Sequence, residues 1–150
     1  MKLKHVMICL MPVLVGACST GYSTATNAVT GQSRIYAMGT DAALHIAHDA
    51  IAQSFPDRPI DPITDPVQGY AAHTGSGLNG STQEVVIHPV TGVTTSGASV
   101  DGYTFDVSGH GTISGSNFDT ASIYAQLQQS LDATGNGIDV VQITPRTKPP

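Results

Sequence analysis

An α+β fold, with an antiparallel sheet of about four or five strands and two helices packed on one face, is what this sequence predicts. Three observations carry that expectation. Two segments repeat apolar residues at helical spacing, and two β-branched or aromatic runs sit either side of a Gly/Thr/Ser-rich stretch. A further apolar run closes the domain after the second helix. Short helices separated by an antiparallel meander favour layers over a parallel doubly wound sheet.

The elements follow in order. Ile35 to Met38 reads as a short strand. Gly39-Thr40-Asp41 then starts a helix, with Thr40 or Asp41 available to cap it. Leu44, Ala47, Ile51 and Phe55 form one stripe of that helix, and Pro56 stops it. Residues 56 to 68 hold Pro56, Pro59, Pro62 and Pro66 with Asp57, Asp61 and Asp65, the composition of an extended connector kept solvated by its aspartates. These aspartates lack the tight spacing of a calcium loop.

Gly69 to Thr74 suits a strand. Glu84 to Val90 is β-branched, and Val100 to Ser108 alternates Tyr103, Phe105 and Val107 with Thr104, Asp106 and Ser108. The two are expected to pair across loop 91–99. A second helix starts near Asp119-Thr120, places Ile123, Leu127 and Leu131 on one side and ends at Gly135, a left-handed cap. Ile138 to Thr144 is the expected closing strand.

The beginning of the chain has a different logic. Lys2 and Lys4 precede an uncharged, mostly apolar run from Val6 to Ala17, interrupted by Pro12. A bilayer-spanning helix needs roughly 20 apolar residues, so this run fits an export signal better than a permanent span. Val15-Gly16-Ala17-Cys18 resembles the lipobox of bacterial lipoproteins, with Val15 in place of the commoner leucine. The resemblance covers residues 1–18. It implies that residues 1–17 are a signal peptide and that Cys18 is the lipidation site, receiving diacylglycerol through its thiol and then a further acyl chain such as palmitate. Ser19 after the cysteine resembles outer-membrane lipoproteins, so the expected location is the bacterial envelope, lipid-anchored in the outer membrane and facing the periplasm. Ordinary signal cleavage, leaving no lipid, is the rival outcome.

The expected organisation is therefore a signal at 1–17, a Ser/Thr/Ala/Gly-rich flexible tether at 18–33, one domain at 34–144 and a disordered tail at 145–150. With Cys9 removed and Cys18 acylated, no cysteine is left for a disulfide, and the core must hold by packing. Four basic residues, Arg34, Arg58, Arg146 and Lys148, then face eleven acidic ones. That balance excludes a phosphate-binding stripe, so nucleic acid is not an expected partner. It also leaves membrane attachment to the acyl chains rather than to charge.

Several motifs carry chemistry in other settings. Gly75-Ser76-Gly77-Leu78-Asn79-Gly80 has the Gly-x-Gly-x-x-Gly spacing that cradles phosphates, but a strand-like segment follows where a helix is required. A hairpin loop is the better reading. Gly109-His110-Gly111-Thr112 resembles the histidine motif of subtilisin-like proteases for four residues only, without a matching serine motif. Gly135-Asn136-Gly137-Ile138-Asp139 resembles one calcium-binding nonapeptide of β-roll repeats, yet a single copy has no neighbour to stack on.

Asp41, His45 and His48 lie at i, i+4 and i+7 of the first helix, a spacing at which side chains can converge on a divalent metal. Neither a His-Glu-x-x-His pattern nor an evident fourth ligand completes the set, although His73, His88 or His110 could supply one. The sequence therefore predicts no cofactor, no metal and no catalytic residue. The expected function is a non-catalytic binding or accessory module of an envelope assembly, with a protein partner and a lipid anchor. Sheet edges and loop 75–80 are the expected contact surfaces. Two alternatives stand beside it: a small periplasmic hydrolase or metal-binding enzyme using His45, His48 or His110, and an immunity lipoprotein that neutralises a toxin.

Overall fold

The computed structural model describes residues 19–23, 33–75, 80–111 and 120–147. Their chain order is β1 (Ser19–Ser23), β2 (Ser33–Tyr36), α1 (Thr40–Ser54), β3 (Ile60–Ile63), β4 (Gln68–Thr74), β5 (Ser81–Val93), β6 (Ser99–Gly111), α2 (Thr120–Thr134), β7 (Gly137–Val140) and β8 (Gln142–Pro145). The fold is α+β, as the sequence predicts. The sheet is larger than expected, with eight strands, and every pairing is antiparallel.

The β5–β6 hairpin is its axis. Both strands are 13 residues long and pair from Ser81↔Gly111 to Val93↔Ser99. The expected pairing is present, but the expected loop 91–99 shrinks to a turn: Thr94 N–H donates to the Ala98 carbonyl at 2.9 Å, with Gly97 at φ 83°. Beside the first half of β5 lie β4 and then β3. Beside the second half lies β8, from Val90↔Pro145 to Val93↔Gln142. β6 divides likewise: Tyr103 pairs with Tyr36 of β2, and residues 106–110 pair with β1.

Side-chain alternation along the hairpin sorts two cores onto its two faces. Val85, Ile87, Tyr103, Phe105 and Val107 point toward the helices, where Ala43, Ala47, Ala50 and Ile51 of α1 and Ile123, Leu127 and Leu131 of α2 meet them. The second helix buries the three aliphatic residues expected of it. The first helix settles on alanines, with Leu44 and Phe55 at the rim, because small side chains let it lie close to the sheet. Its N-cap is Gly39, with no side-chain cap bond. Thr40 Oγ1 is instead 2.6 Å from the Tyr103 hydroxyl, tying the helix start to β6. Gln128 Nε2 of α2 donates to the Tyr36 hydroxyl at 2.9 Å. Burial, the main cause, and nearby Asp132 hold the Tyr36 hydroxyl above its ordinary pKa against the opposing hydrogen bond.

The opposite face holds a smaller core of Ile35, Val90 and Val140, flanked by Val100, Ile138 and Ile143. It exists because the sheet curls onto itself. β7 pairs with β2, the chain turns at Val141, whose N–H donates to the Val93 carbonyl at 2.8 Å, and β8 then pairs with β5. The expected single closing strand is thus two strands that complete a ring through β5, β6 and β2. Gly92 and Gly102 make room for it. A Cβ on Gly92 would stand 2.6 Å from Val140 Cγ1 and 2.8 Å from Ile35 Cδ1, and one on Gly102 would meet the Tyr36 carbonyl oxygen at 2.5 Å.

Three segments depart from their expected roles. Ile60–Ile63, inside the expected connector 56–68, is strand β3: as an edge strand paired only with β4, it tolerates Pro62, which has no N–H to donate. Ser19–Ser23, inside the expected tether 18–33, is strand β1, because β6 extends past β2 and its edge there pairs with β1. The expected tail at 145–150 is tied to the sheet at its first two residues, and 148–150 lie outside the described residues. Pro145 belongs to β8, and the Arg146 N–H donates to the Pro89 carbonyl at 2.9 Å while its guanidinium pairs with Asp101 at 2.6 Å.

Two outcomes test this architecture. Gly92→Val should lower stability by about 1–3 kcal/mol through overpacking, seen as a lower urea midpoint at unchanged slope. The Arg34 hydrogen bond to Asp139, at 2.8 Å across β2 and β7, holds the Asp139 carboxyl below its ordinary value of 3.8. A depressed carboxyl pKa stabilises the fold above the unfolded value and loses that contribution as pH falls through the folded value. Asp139→Asn should therefore cost at most about 1 kcal/mol at neutral pH, since both side chains are partly exposed, and nothing well below pH 3.8.

Candidate functional site

With helices on one face and the curl over the far half of the other, one part of the sheet keeps a face that no other described element covers. Even-numbered residues of β5 and β6 from Thr82 to His88 and from Asp106 to His110 form it, joined by Asp61 of β3 and His73 of β4. Its side chains are mainly histidines, carboxylates and hydroxyls, with Val86 the apolar member of the β5 row.

Strand register builds two histidine–carboxylate pairs on this face. His88 Nε2 lies 2.9 Å from Asp106 Oδ2, and His73 Nε2 lies 3.6 Å from Asp61 Oδ2. Both pairs are diagonal. His88 stands opposite Thr104 and Asp106 opposite Val86; His73 is one residue along β4 from Ala72 and two from Ala71, which faces Asp61. Side chains two positions off register are within reach of long polar groups. His73 is further held by Thr82, whose Oγ1 is 2.9 Å from His73 Nδ1. His110 pairs in register with Thr82 on one side and Ser19 on the other. Glu84, opposite Ser108, adds a third carboxylate between the pairs.

No lysine or arginine lies on these positions. Arg34 is paired with Asp139 and Arg146 with Asp101, both toward the curled half of the sheet. Asp61, Glu84 and Asp106 thus give the face three carboxyl groups and an acidic composition.

The three helix residues expected to converge do not form a set. His45 Nε2 and His48 Nδ1 each lie 3.2 Å from one oxygen of Asp49, so that carboxylate, rather than Asp41, joins them. His48 also meets the Tyr70 ring edge-on, with centroids 5.1 Å apart. Asp41 occupies the exposed first turn. His110 lies on β6, on the face turned away from α1, so the sheet separates it from His45 and His48. Among the described residues no group of three or more His, Cys, Asp or Glu has metal-binding geometry.

The remaining motifs resolve locally. Gly75 and Gly80 flank residues outside the described set, and strand β5 follows them, as the loop interpretation requires. Gly109-His110-Gly111 completes β6, while Thr112 lies outside the described residues. Gly135 is a left-handed cap at φ 67°, and Asp139 is engaged by Arg34. Cys18 also lies outside the described residues.

Asp49 had a visible sequence signal, four residues after His45 on a helix. The partners of His73 and His88 had none, because their pairing depends on cross-strand register. No family model matches the chain, and neither a curated protein nor a solved structure does. As a check on the face itself, His88→Gln and Asp106→Asn should each change stability by no more than about 1 kcal/mol, measured by chemical denaturation, because the pair is partly exposed.

Proposed function

We propose that this chain is an envelope lipoprotein, exported by residues 1–17, acylated at Cys18 and carrying a non-catalytic binding module for a protein partner in the periplasm. The observation that carries the proposal is the coincidence of Lys2 and Lys4, the apolar run Val6 to Ala17 and the Val15-Gly16-Ala17-Cys18 sequence at its end. Membrane attachment then rests on the acyl chains, since the acidic balance of the remainder opposes adhesion to anionic lipid.

The placement of polar groups supports a binding role. His73 and His88 each pair with a separate aspartate on the sheet, His45 and His48 share Asp49 on α1, and all of these groups lie at the surface. The acidic, histidine-bearing face of β3–β6 offers a flat polar contact area to a partner with complementary donors.

The decisive experiment expresses the full chain and Cys18→Ala with a labelled fatty acid. Label and membrane fractionation should appear in the wild type and disappear in the variant; an unlabelled, soluble wild type would overturn the anchor. For the binding role, crosslinking from intact membranes should return the same partner repeatedly and lose it on Glu84→Arg. Repeated capture of nothing specific would count against that role.

A further inference from the structure

The anchor and the fold meet at one end of the sheet. Ser19, the residue after Cys18, is already in register with His110, one position from the end of β6. Consecutive Cα atoms are about 3.8 Å apart, so Cys18 is bonded directly to Ser19, a residue that the sheet holds in place. Gly75, Gly80, Ser81, His110 and Gly111 share this end, because Thr74↔Ser81 and Ser81↔Gly111 are the terminal pairs of their ladders.

From the acylation described above, we infer that the Ser19–His110 end of the sheet is a lipid-facing surface, apposed to the bilayer with the strands standing away from it. The β5–β6 turn at Thr94–Ala98 then points outward. Eleven residue steps along β6 separate His110 from Ser99, a rise of roughly 35 Å at about 3.3 Å per residue. Lying flat gains this body little. Its acidic balance repels anionic headgroups, and Val141, the large apolar side chain exposed among the described residues, sits at the far end beside Val93. The histidine–carboxylate face is carried upright, with the partner surface perpendicular to the membrane plane.

Depth measurements on the acylated, full mature chain test this orientation. Cys9 leaves with the signal and Cys18 is blocked by its thioether, so a thiol introduced by Ser96→Cys or His110→Cys is the one that reacts with a fluorophore. The protein is placed in phosphatidylethanolamine vesicles containing a minor fraction of phosphatidylglycerol and a headgroup-labelled quenching lipid. Quenching should be several-fold stronger at position 110 than at 96. Inserting a long Gly/Ser spacer between Cys18 and Ser19 should erase the difference while the protein still floats with the vesicles. Equal or reversed quenching in a floating, spacer-free protein overturns the orientation alone. Failure to float overturns the acylation and the orientation with it.

Discussion

The β5–β6 ladder is the constraint on which the other elements depend. Its length gives each strand two successive neighbours: β4 then β8 along β5, and β1 then β2 along β6. A shorter hairpin would lose one member of each pair. Because side chains alternate, the same ladder supplies both cores, Val85, Ile87, Phe105 and Val107 to the helices and Val90 to the curl. A one-residue slip would exchange the two sets, so the two cores lock the register against each other.

That division also decides where a polar surface can exist. Over the far half, Ile35 and Val140 need cover, and Gly92 lets them sit against the strand backbone. Over the near half, the same face presents His73, Glu84, His88 and Asp106, which no layer of the described residues covers. The helices cannot provide cover because Ile51, Ile123 and Leu127 already commit them to the other side. The polar face is therefore a consequence of topology as much as of composition.

Legibility in the sequence followed the source of each element's stability. Helix α2 was readable because Ile123, Leu127 and Leu131 are large and periodic. The start of α1 was readable but its capping was not, since Thr40 is drawn to Tyr103 from across the fold. β1 and β3 gave weak signals for different reasons: Ser19–Ser23 contributes backbone pairing with little apolar alternation, and Pro62 reads as a breaker although an edge strand accommodates it. For the polar face, residue types were visible and partners were not. His88 and Asp106 are eighteen positions apart in sequence, and only the register of the hairpin makes them neighbours.

The position of β1 changes the physical meaning of a lipid anchor. A disordered tether at 18–33 would let the domain rotate and sample a wide shell above the membrane, with the orientation of any face averaged away. Pairing Ser19 with His110 removes that freedom at the residue after Cys18, the position proposed to be acylated. Ordering this segment costs about 1–2 kcal/mol of backbone entropy per residue, offset by hydrogen bonds to β6 groups that β2 does not reach. In the proposed anchored state the gain is geometric: one end of the sheet would be held at the bilayer, and a partner approaching parallel to the membrane would meet the same polar face on every molecule. Such preorganisation lowers the orientational cost of association without adding a single contact.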